Sequence, residues 1–179
     1  MRMTTDDRSL GLAAAGGDAA AFAALLERHY DRMFGLAYRL TGQQAEAEDL
    51  TQDICAALPS KIRAYRGDAA FGTWLYRVTV NAAHDRRRRH ATHAKAAKGW
   101  GDWEVNRQAV KSEAAAAQDW MQTAMMSLPD TLRDTLALVL DDLNHAEVGA
   151  VLGISEGTVS WRVSEAKKHL RALKGKETT

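Results

Sequence analysis

The chain has 179 residues, of which 46% are hydrophobic and 26% are charged, enough for one medium domain or two small ones with apolar cores. Its formal charge is only +1, and the single cysteine, Cys55, excludes an internal disulfide and a zinc site built from cysteines. No apolar run of 18 residues and no basic-then-apolar leader occurs, so we expect a cytoplasmic protein without membrane insertion.

Helix-forming residues dominate the composition, since Ala, Leu, Glu, Lys and Arg are abundant and proline occurs only twice. No stretch alternates apolar and polar residues for long enough to predict a strand. The sequence therefore predicts an all-α fold of two small helical domains joined by a linker. The expected divisions are a flexible lead-in over 1–17, a first domain over 18–92, the linker over 93–113 and a second domain over 114–176.

Asp18 has the side chain of an N-cap and begins the first predicted helix. Apolar residues then recur every three or four positions from Phe22 to Leu40, and Gly42 marks the end of the helix. His29 falls on or beside this apolar stripe. We therefore interpret it as a hydrogen-bonded core histidine and not as a ligand or a base.

An acidic turn opens the second predicted helix, which spans residues 45–64. Its acids at positions 46–49 complement the positive end of the helix dipole, and periodicity alone favours capping and solubility as their role. Pro59 falls inside the pattern, where it removes a helix hydrogen bond and should kink or split the helix. The buried face is expected to contain Leu50, Ile54, Leu58 and Ile62.

Aromatic residues lead directly into a run of arginines between positions 65 and 89. Aromatic faces stack on unpaired bases at about 1–3 kcal/mol per base, and guanidinium groups bind phosphates, so the stretch favours nucleic-acid binding. The alternative is an amphipathic helix whose buried stripe contains Phe71, Trp74, Leu75, Val78 and Ala82. We expect Phe71, Leu75 and Val78 in the core and leave Trp74 open between the two roles. The expected surface residues are Tyr76, Arg77, Asn81, Arg86, Arg87, Arg88 and Arg89.

Periodicity is lost over residues 90–111, which we interpret as a linker. Trp100 and Trp103 within it suggest that the linker docks on another surface. His90 and His93 lie three positions apart, but they lack carboxylate or thiol neighbours and do not predict a metal site.

A helix-turn-helix pattern occurs in the second domain. Residues 144–147 resemble a capping box and open a short helix that stops at Gly153. Ile154 can fill the angle between the helices, and Ser155 caps the next one. The second helix of such a motif enters the major groove with its N-terminal residues at base edges. Together with a basic outer face, these features predict duplex DNA binding.

Three segments together resemble the extracytoplasmic-function (ECF) group of bacterial sigma factors, which direct RNA polymerase to promoters. They are LTGQQAEAEDLTQD (40–53), RAYRGDAAFGTWLYRVTVNAAHDRRRR (63–89) and LNHAEVGAVLGISEGTVSWRVSEAKKHL (143–170). The resemblance implies a region 2 helical bundle and a region 4 helix-turn-helix, with no enzymatic activity, small-molecule substrate, metal or cofactor. It implies three partners: core RNA polymerase through its β′ coiled coil and β flap, promoter DNA, and an anti-sigma factor that could hold the protein at the membrane.

The resemblance also implies roles for particular residues. The acidic helix would contact the largest polymerase subunit through Glu48, Asp49, Leu50, Gln52 and Asp53. The −10 element would be opened and read by Tyr65, Arg66, Asp68, Phe71, Trp74, Tyr76, Arg77, Asn81, Arg86 and Arg87. Extracting a base costs on the order of a few kcal/mol, which a pocket and stacking faces must offset. The duplex −35 element would be read by Ser155, Glu156, Thr158, Ser160, Trp161, Arg162 and Lys167.

This chain departs from the family pattern at several positions. Pro59 stands where a bulky residue is frequent, Ser160 and Trp161 stand where a basic and then a small residue are frequent, and Glu165 replaces a frequent arginine. We expect fewer phosphate contacts and a flatter salt dependence of DNA binding. Three roles stay open for Trp161: contact with a base, contact with an anti-sigma factor, or packing on a neighbouring helix.

Other classes of function account for less of the sequence. A conventional helix-turn-helix regulator would explain residues 144–170 but not the acidic helix or the aromatic and basic stretch. An enzyme would need a nucleophile, a base or a metal constellation, yet Cys55 has no nearby histidine and no glycine-rich phosphate loop occurs. A protein-binding adaptor would show no salt-dependent affinity for DNA.

Overall fold

A computed structural model describes residues 6–96 and 113–177 of the chain. Over these residues the structure is helical and contains no strand, so the predicted all-α fold is confirmed. The helices are α1 (Asp7–Ala15), α2 (Ala19–Thr41), α3 (Gln44–Lys61), a 3-10 turn (Ile62–Ala64), α4 (Phe71–Ala96), α5 (Glu113–Met126), α6 (Asp130–Val139), α7 (His145–Leu152) and α8 (Glu156–Glu177). None of these helices is long and apolar enough to cross a membrane.

Helix α2 begins and ends as the sequence predicts. The Asp18 carboxylate accepts hydrogen bonds from the backbone N–H groups of Ala20 and Ala21, at 2.9 and 3.0 Å. Gly42 ends the helix in the left-handed conformation, with a φ of 83°, and donates to the carbonyl of Tyr38. Helix α2 packs against α1, α3 and α4 and is therefore the centre of the first unit.

Residues 7–15, expected to belong to a frayed lead-in, instead form helix α1. Asp6 caps it by accepting a hydrogen bond from the Ser9 N–H at 2.9 Å. Asp7 joins it to α2 through Arg28 and His29, both at 2.7 Å, which confirms the hydrogen-bonded role of His29. Partial burial alone would raise the pKa of Asp7, but the hydrogen bonds from Arg28 and His29 outweigh it and lower the pKa. The prediction missed α1 because its apolar face is short and is partnered by distant residues.

The sequence predicts that Pro59 kinks or splits the second helix, and the structure shows no split at this position. Helix α3 continues through Pro59 to Lys61, and only at Ile62 does the chain change to a 3-10 turn. Pro59 itself is exposed, while Leu58 and Ile62 on either side are buried. Burial of the neighbouring apolar residues holds the helical path despite the hydrogen bond that proline cannot donate.

Helix α4 extends further than the predicted first domain and reaches Ala96. The remainder of the expected linker up to residue 112, including Trp100 and Trp103, lies outside the described residues. Helices α6, α7 and α8 pack against each other and, together with α5, form the second unit.

One buried core runs through both units. It includes Leu36 and Ala37 of α2, Leu138 of α6, Val148 of α7 and Val159 of α8. Helices α2 and α4 contact α6 and α7 respectively, so the second unit lies directly against the first. This docking decides which predicted site residues face solvent.

Candidate polymerase and nucleic-acid interfaces

The solvent face of α3 carries an acidic surface, which we define as Glu48, Asp49, Gln52 and Asp53. All four residues are exposed, and the Asp49 side chain is 65% accessible. Leu50, which the resemblance assigned to this surface, is instead buried in the core beside Ile54, as the periodicity of α3 predicts. The reason is helical geometry, because residues four apart lie on the same face and Ile54 faces inward.

Arg86 was predicted to contact DNA, but it is directed at α3. Its guanidinium lies 2.8 Å from Glu46, 3.4 Å from Asp49 and 3.3 Å from Asp53. Burial alone would lower the pKa of Arg86, yet the hydrogen bond and charge of Glu46, with the two aspartates, raise it. Arg86 therefore ties α4 to the helix that carries the acidic surface.

Tyr65 and Phe71 form an internal aromatic cluster and are not free stacking faces. Both rings are buried and meet edge-to-face at 5.6 Å between centroids, with Trp74 and His29 packed beside them. The Tyr65 hydroxyl donates to the Ala69 carbonyl at 2.9 Å. The prediction that Phe71 belongs to the core is confirmed, whereas Tyr65 supports the loop from within and does not face solvent.

The loop between Tyr65 and Phe71 presents its charged side chains outward. Arg66 and Asp68 are exposed, and Trp74 is half-buried at the start of α4. Gly67 has a φ of 74°, a conformation that favours glycine, and α1 lies against it through Arg8 and Leu12. The buried aromatic cluster and α1 therefore hold this loop in place from the inner side.

Tyr76 was expected at the surface but is only 8% exposed. Its hydroxyl donates a short hydrogen bond to Asp141, which lies between α6 and α7. The other oxygen of Asp141 accepts from Arg39 Nη2 at 2.6 Å. Burial, followed by the hydrogen bond and charge of Asp141, raises the pKa of Tyr76. The second unit is thus what covers this side chain.

Arg87 contacts a carboxylate that the sequence analysis did not select. Its Nη2 lies 3.0 Å from each oxygen of Asp134, and His84 Nε2 lies 2.5 Å from Oδ2 of the same residue. The Asp134 side chain is only 4% exposed. The signal that could have identified Asp134 is its position among the buried residues of α6. An acid buried in a helix core requires a partner, and this predicts a basic side chain opposite it.

Arg77 and Asn81 lie on the exposed side of α4. Arg77 Nη2 nevertheless donates to the carbonyl of Ala150 on α7 at 2.5 Å. The structure therefore brings Tyr76, Arg77 and Arg87 together at the contact with the second unit.

The helix-turn-helix matches the sequence prediction closely. Asn144 and Glu147 exchange side-chain and backbone hydrogen bonds at 3.0 and 2.8 Å and form the predicted capping box. Gly153 ends α7 with a φ of 68°. Gly149 allows close packing at the turn, because a Cβ there would lie 2.6 Å from the Ile154 carbonyl oxygen. The two helices are therefore held by caps and by backbone proximity.

Helix α8 presents a polar outer face at its N-terminal end. Ser155 accepts a hydrogen bond from the Thr158 N–H at 3.2 Å, as predicted for a cap. Trp161 is 60% exposed, so of the three roles left open for it, packing on a neighbouring helix is excluded. His145 Nδ1 lies 2.9 Å from Ser160 Oγ and links α7 to this face. Thr158 and Arg162 are half-buried at its edge, and the exposed residues are Ser155, Glu156, Ser160, Trp161 and Lys167.

Within the described ranges, no cluster of His, Cys, Asp or Glu side chains has the geometry of a metal site. Cys55 is half-buried, and this burial raises the pKa of its thiol. A raised pKa reduces the thiolate fraction, which is the reactive form of cysteine.

Comparison with known proteins agrees with this geometry. Residues 25–93 match the model of Sigma-70 region 2, and residues 118–170 match that of Sigma-70 region 4. The ECF RNA polymerase sigma factor SigM of Mycobacterium tuberculosis is 34% identical over 176 residues, which cover 97% of this chain and 87% of SigM. The chain belongs to the ECF sigma factors. SigW of Bacillus subtilis, another member, is 30% identical over 87% of this chain and 89% of its own.

The ECF sigma factor fold is also found among solved structures. The sigma factor RpoE, crystallised with the anti-sigma factor NepR from Bartonella quintana, superposes with a TM-score of 0.72. The two chains are 21% identical, and the match covers 86% of this chain and 96% of RpoE. Like other sigma factors, this ECF sigma factor binds core RNA polymerase and directs it to promoters. Its first unit is region 2 and its second unit is region 4.

Proposed function

We propose that this protein is an alternative sigma factor whose acidic surface binds core polymerase while two separate faces read the −10 and −35 elements. The observation that carries the proposal is the outer face of α8, where a capped helix presents polar and aromatic side chains to solvent. A helix of this kind fits the major groove of B-DNA, in which each base pair has a distinct donor and acceptor pattern.

Contacts to the −35 element would come from the exposed start of α8. Ser160 and Glu156 have hydrogen-bonding groups for base edges, and the exposed Trp161 offers an apolar contact such as a thymine methyl group. Lys167, two turns further on, is placed for phosphate. Glu165 is held by Lys168 at 2.6 Å, so this ion pair reduces the positive charge that α8 offers to DNA.

Core polymerase would be bound through the acidic surface of α3, facing the β′ coiled coil, with region 4 at the β flap. Exposed carboxylates such as Asp49 and Asp53 steer a basic partner and set its orientation. Arg86 on α4 neutralises part of this negative charge. Its ion pairs reduce the electrostatic repulsion between the acids that share one face of α3.

Reading of the −10 element would use the outward side of the loop and of α4. Arg66 and Asp68 border the loop, and Trp74, Arg77 and Asn81 line the adjacent helix. Extruding a base costs on the order of a few kcal/mol, and stacking with cationic phosphate contacts would offset that cost. Tyr65 and Phe71 would act indirectly by fixing the loop, since their rings are buried.

Control by an anti-sigma factor is the regulation that we propose. RpoE, with which this chain shares its fold, was crystallised with the anti-sigma factor NepR. The surfaces needed for polymerase and DNA are exposed in part, so a protein that covers them would block initiation.

Transcription by core RNA polymerase from a promoter library, with and without the protein, tests the proposal. We expect promoter-specific starts with the wild type and loss of core binding by at least about tenfold in Asp49→Lys, because charge reversal opposes a steered contact. Folding should survive, since an exposed ion pair such as Asp49 with Arg86 contributes only about 0–1 kcal/mol. Asp31→Lys, the same change at an exposed position of α2, is the matched control. Binding of promoter duplex without any core-dependent start would instead identify a conventional helix-turn-helix regulator.

A further inference from the structure

Two carboxylates of the second unit bind donor groups of the first unit, and two of these donors, on Tyr76 and Arg87, are predicted from the sequence to contact the −10 element. Asp134 of α6 accepts from Arg87 through both oxygens and also contacts His84. Asp141, after α6, binds the Tyr76 hydroxyl with one oxygen and Arg39 with the other. All four oxygens of the two acids are thereby engaged across the contact between regions 2 and 4.

The chemistry of these contacts resembles that of phosphate binding. The Arg guanidinium matches carboxylate and phosphate alike, because both present two oxygens to a planar pair of N–H donors. Here both oxygens of Asp134 share the Nη2 of Arg87, and a donor nitrogen engaged in this way cannot simultaneously hold a DNA phosphate. Arg77 lies at the same contact as Tyr76 and Arg87, and its Nη2 donates to the Ala150 carbonyl at 2.5 Å.

Additional contacts hold the two regions together away from these acids. Gln122 Nε2 of α5 donates to the Tyr38 carbonyl of α2 at 2.6 Å. Met126 lies over Gly42, where a Cβ would be 2.6 Å from the Met126 Cγ. The exposed start of α8 is not part of this contact, so the −35 face stays accessible while Tyr76, Arg77 and Arg87 are engaged by region 4.

We propose that region 4 inhibits region 2 within the same chain, with Asp134 and Asp141 acting as competitors of the DNA phosphates. The proposal rests on the function proposed above, in which Arg77 on α4 reads the −10 element, and it adds Tyr76 and Arg87 of the same helix to the −10 contacts. In the closed state the protein engages duplex −35 DNA first. Separation of the two regions then releases Tyr76, Arg77 and Arg87 for the −10 strand.

Closure reduces the apparent affinity for single-stranded DNA in proportion to the fraction of open molecules. If about one molecule in ten or fewer is open, removal of the two carboxylates increases that affinity by about tenfold or more. Asp134→Asn/Asp141→Asn keeps the shape of both side chains and removes both charges. The matched control is Asp142→Asn, a neighbouring exposed acid whose side chain has no hydrogen bond or ion pair to region 2 among the described residues.

The experiment measures opening and DNA binding separately in the full-length protein. Opening is followed by energy transfer between dyes at Ala56→Cys on α3 and Lys168→Cys on α8, both exposed positions, in a Cys55→Ser background. DNA binding is followed by the anisotropy of a randomised, fluorescein-labelled single-stranded oligonucleotide. We expect the double variant to lose energy transfer and to bind about tenfold or more tightly, with Asp142→Asn unchanged.

Two results would overturn the proposal: unchanged energy transfer in the double variant, or opening without tighter binding of the oligonucleotide. Asp141→Asn alone provides a second variant, since Asp141 lies beyond the end of α6 and its loss leaves the buried Asp134 in place. The function itself is judged by core-dependent transcription with the wild type. The two proposals can therefore fail separately. The inhibition proposal can be wrong although the protein directs transcription, and the proposed function can be wrong although energy transfer still reports the closed state.

Discussion

Two adjacent charged residues on α6 illustrate how burial gives a side chain its role. Asp134 faces region 2, whereas Arg133 faces the end of α5 within its own unit. Arg133 donates to the carbonyls of Met125, Met126 and Leu128 at 3.2, 3.0 and 2.9 Å. Its burial lowers the pKa of its guanidinium, and the nearby charge of Asp130 counteracts part of that effect. Arg133 thus donates to carbonyls at the C-terminal end of α5 and just beyond it, where intrahelical donors run out.

Arg133→Met is predicted to lower the free energy of unfolding by about 2–4 kcal/mol, because three carbonyls lose a charged donor. Urea unfolding followed by circular dichroism measures this change. Arg88→Met is the control, since Arg88 is exposed and its ion pair with Asp85 contributes only about 0–1 kcal/mol. Equal losses in the two variants would contradict the role given to Arg133.

At the scale of elements, α1 is the part of region 2 that supports the loop between Tyr65 and Phe71 from its inner side. Gly11 permits its close approach, since a Cβ there would lie 2.5 Å from Tyr65 Cε1 and 3.3 Å from Phe71 Cδ2. Because these rings hold the loop, the seating of α1 affects a surface that α1 itself does not form.

Gly11→Ala is predicted to destabilise the protein by about 1–3 kcal/mol, since the added methyl group overpacks the aromatic cluster. The same substitution at Gly157 in α8, where a Cβ would meet Ser155 Oγ at an ordinary 3.9 Å, should stabilise it by about 0.5 kcal/mol. Opposite signs in urea unfolding are therefore expected for one chemical change. Stabilisation by both variants would show that α1 does not pack tightly on Tyr65.

For the whole molecule, the contact between regions 2 and 4 decides which of the side chains predicted to bind DNA are free. Tyr76 lies at its centre and is faced by Asp141, Arg32 and Arg39. Its pKa is raised in the closed state from the ordinary value of 10.0. A group with a raised pKa stabilises the contact fully below that ordinary value, and this contribution is lost as the pH rises through the raised pKa.

Closure is therefore predicted to weaken above about pH 10, as the Tyr76 hydroxyl ionises more readily in the open form. Energy transfer between the dyes on α3 and α8, measured from neutral pH upward, should fall more in the wild type than in Tyr76→Phe. Lysines titrate in the same range in both proteins, so the difference between the two profiles isolates Tyr76. Superimposable profiles would show that its hydroxyl does not contribute to closure.

The sequence by itself determined the features that depend on local spacing. The Asp18 cap, the capping box at Asn144 and the stop at Gly153 follow from residues within about one or two turns, and the structure confirms them. The all-α fold follows from composition and periodicity for the same reason. The family was also identifiable, since its three segments have distinctive order and spacing.

Only the tertiary structure decided where the charged and aromatic side chains point. Tyr76 and Asp141 are 65 positions apart, and Arg87 and Asp134 are 47 apart, so no local pattern relates them. Helical periodicity shows that a residue leaves the core of its own unit, but not that another unit covers it. Docking of region 4 on α2 and α4 brings Tyr76 and Arg87, which were expected at the surface, into contact with Asp141 and Asp134. These carboxylates are held away from water, and they are stabilised by the same donor groups that a phosphate would use.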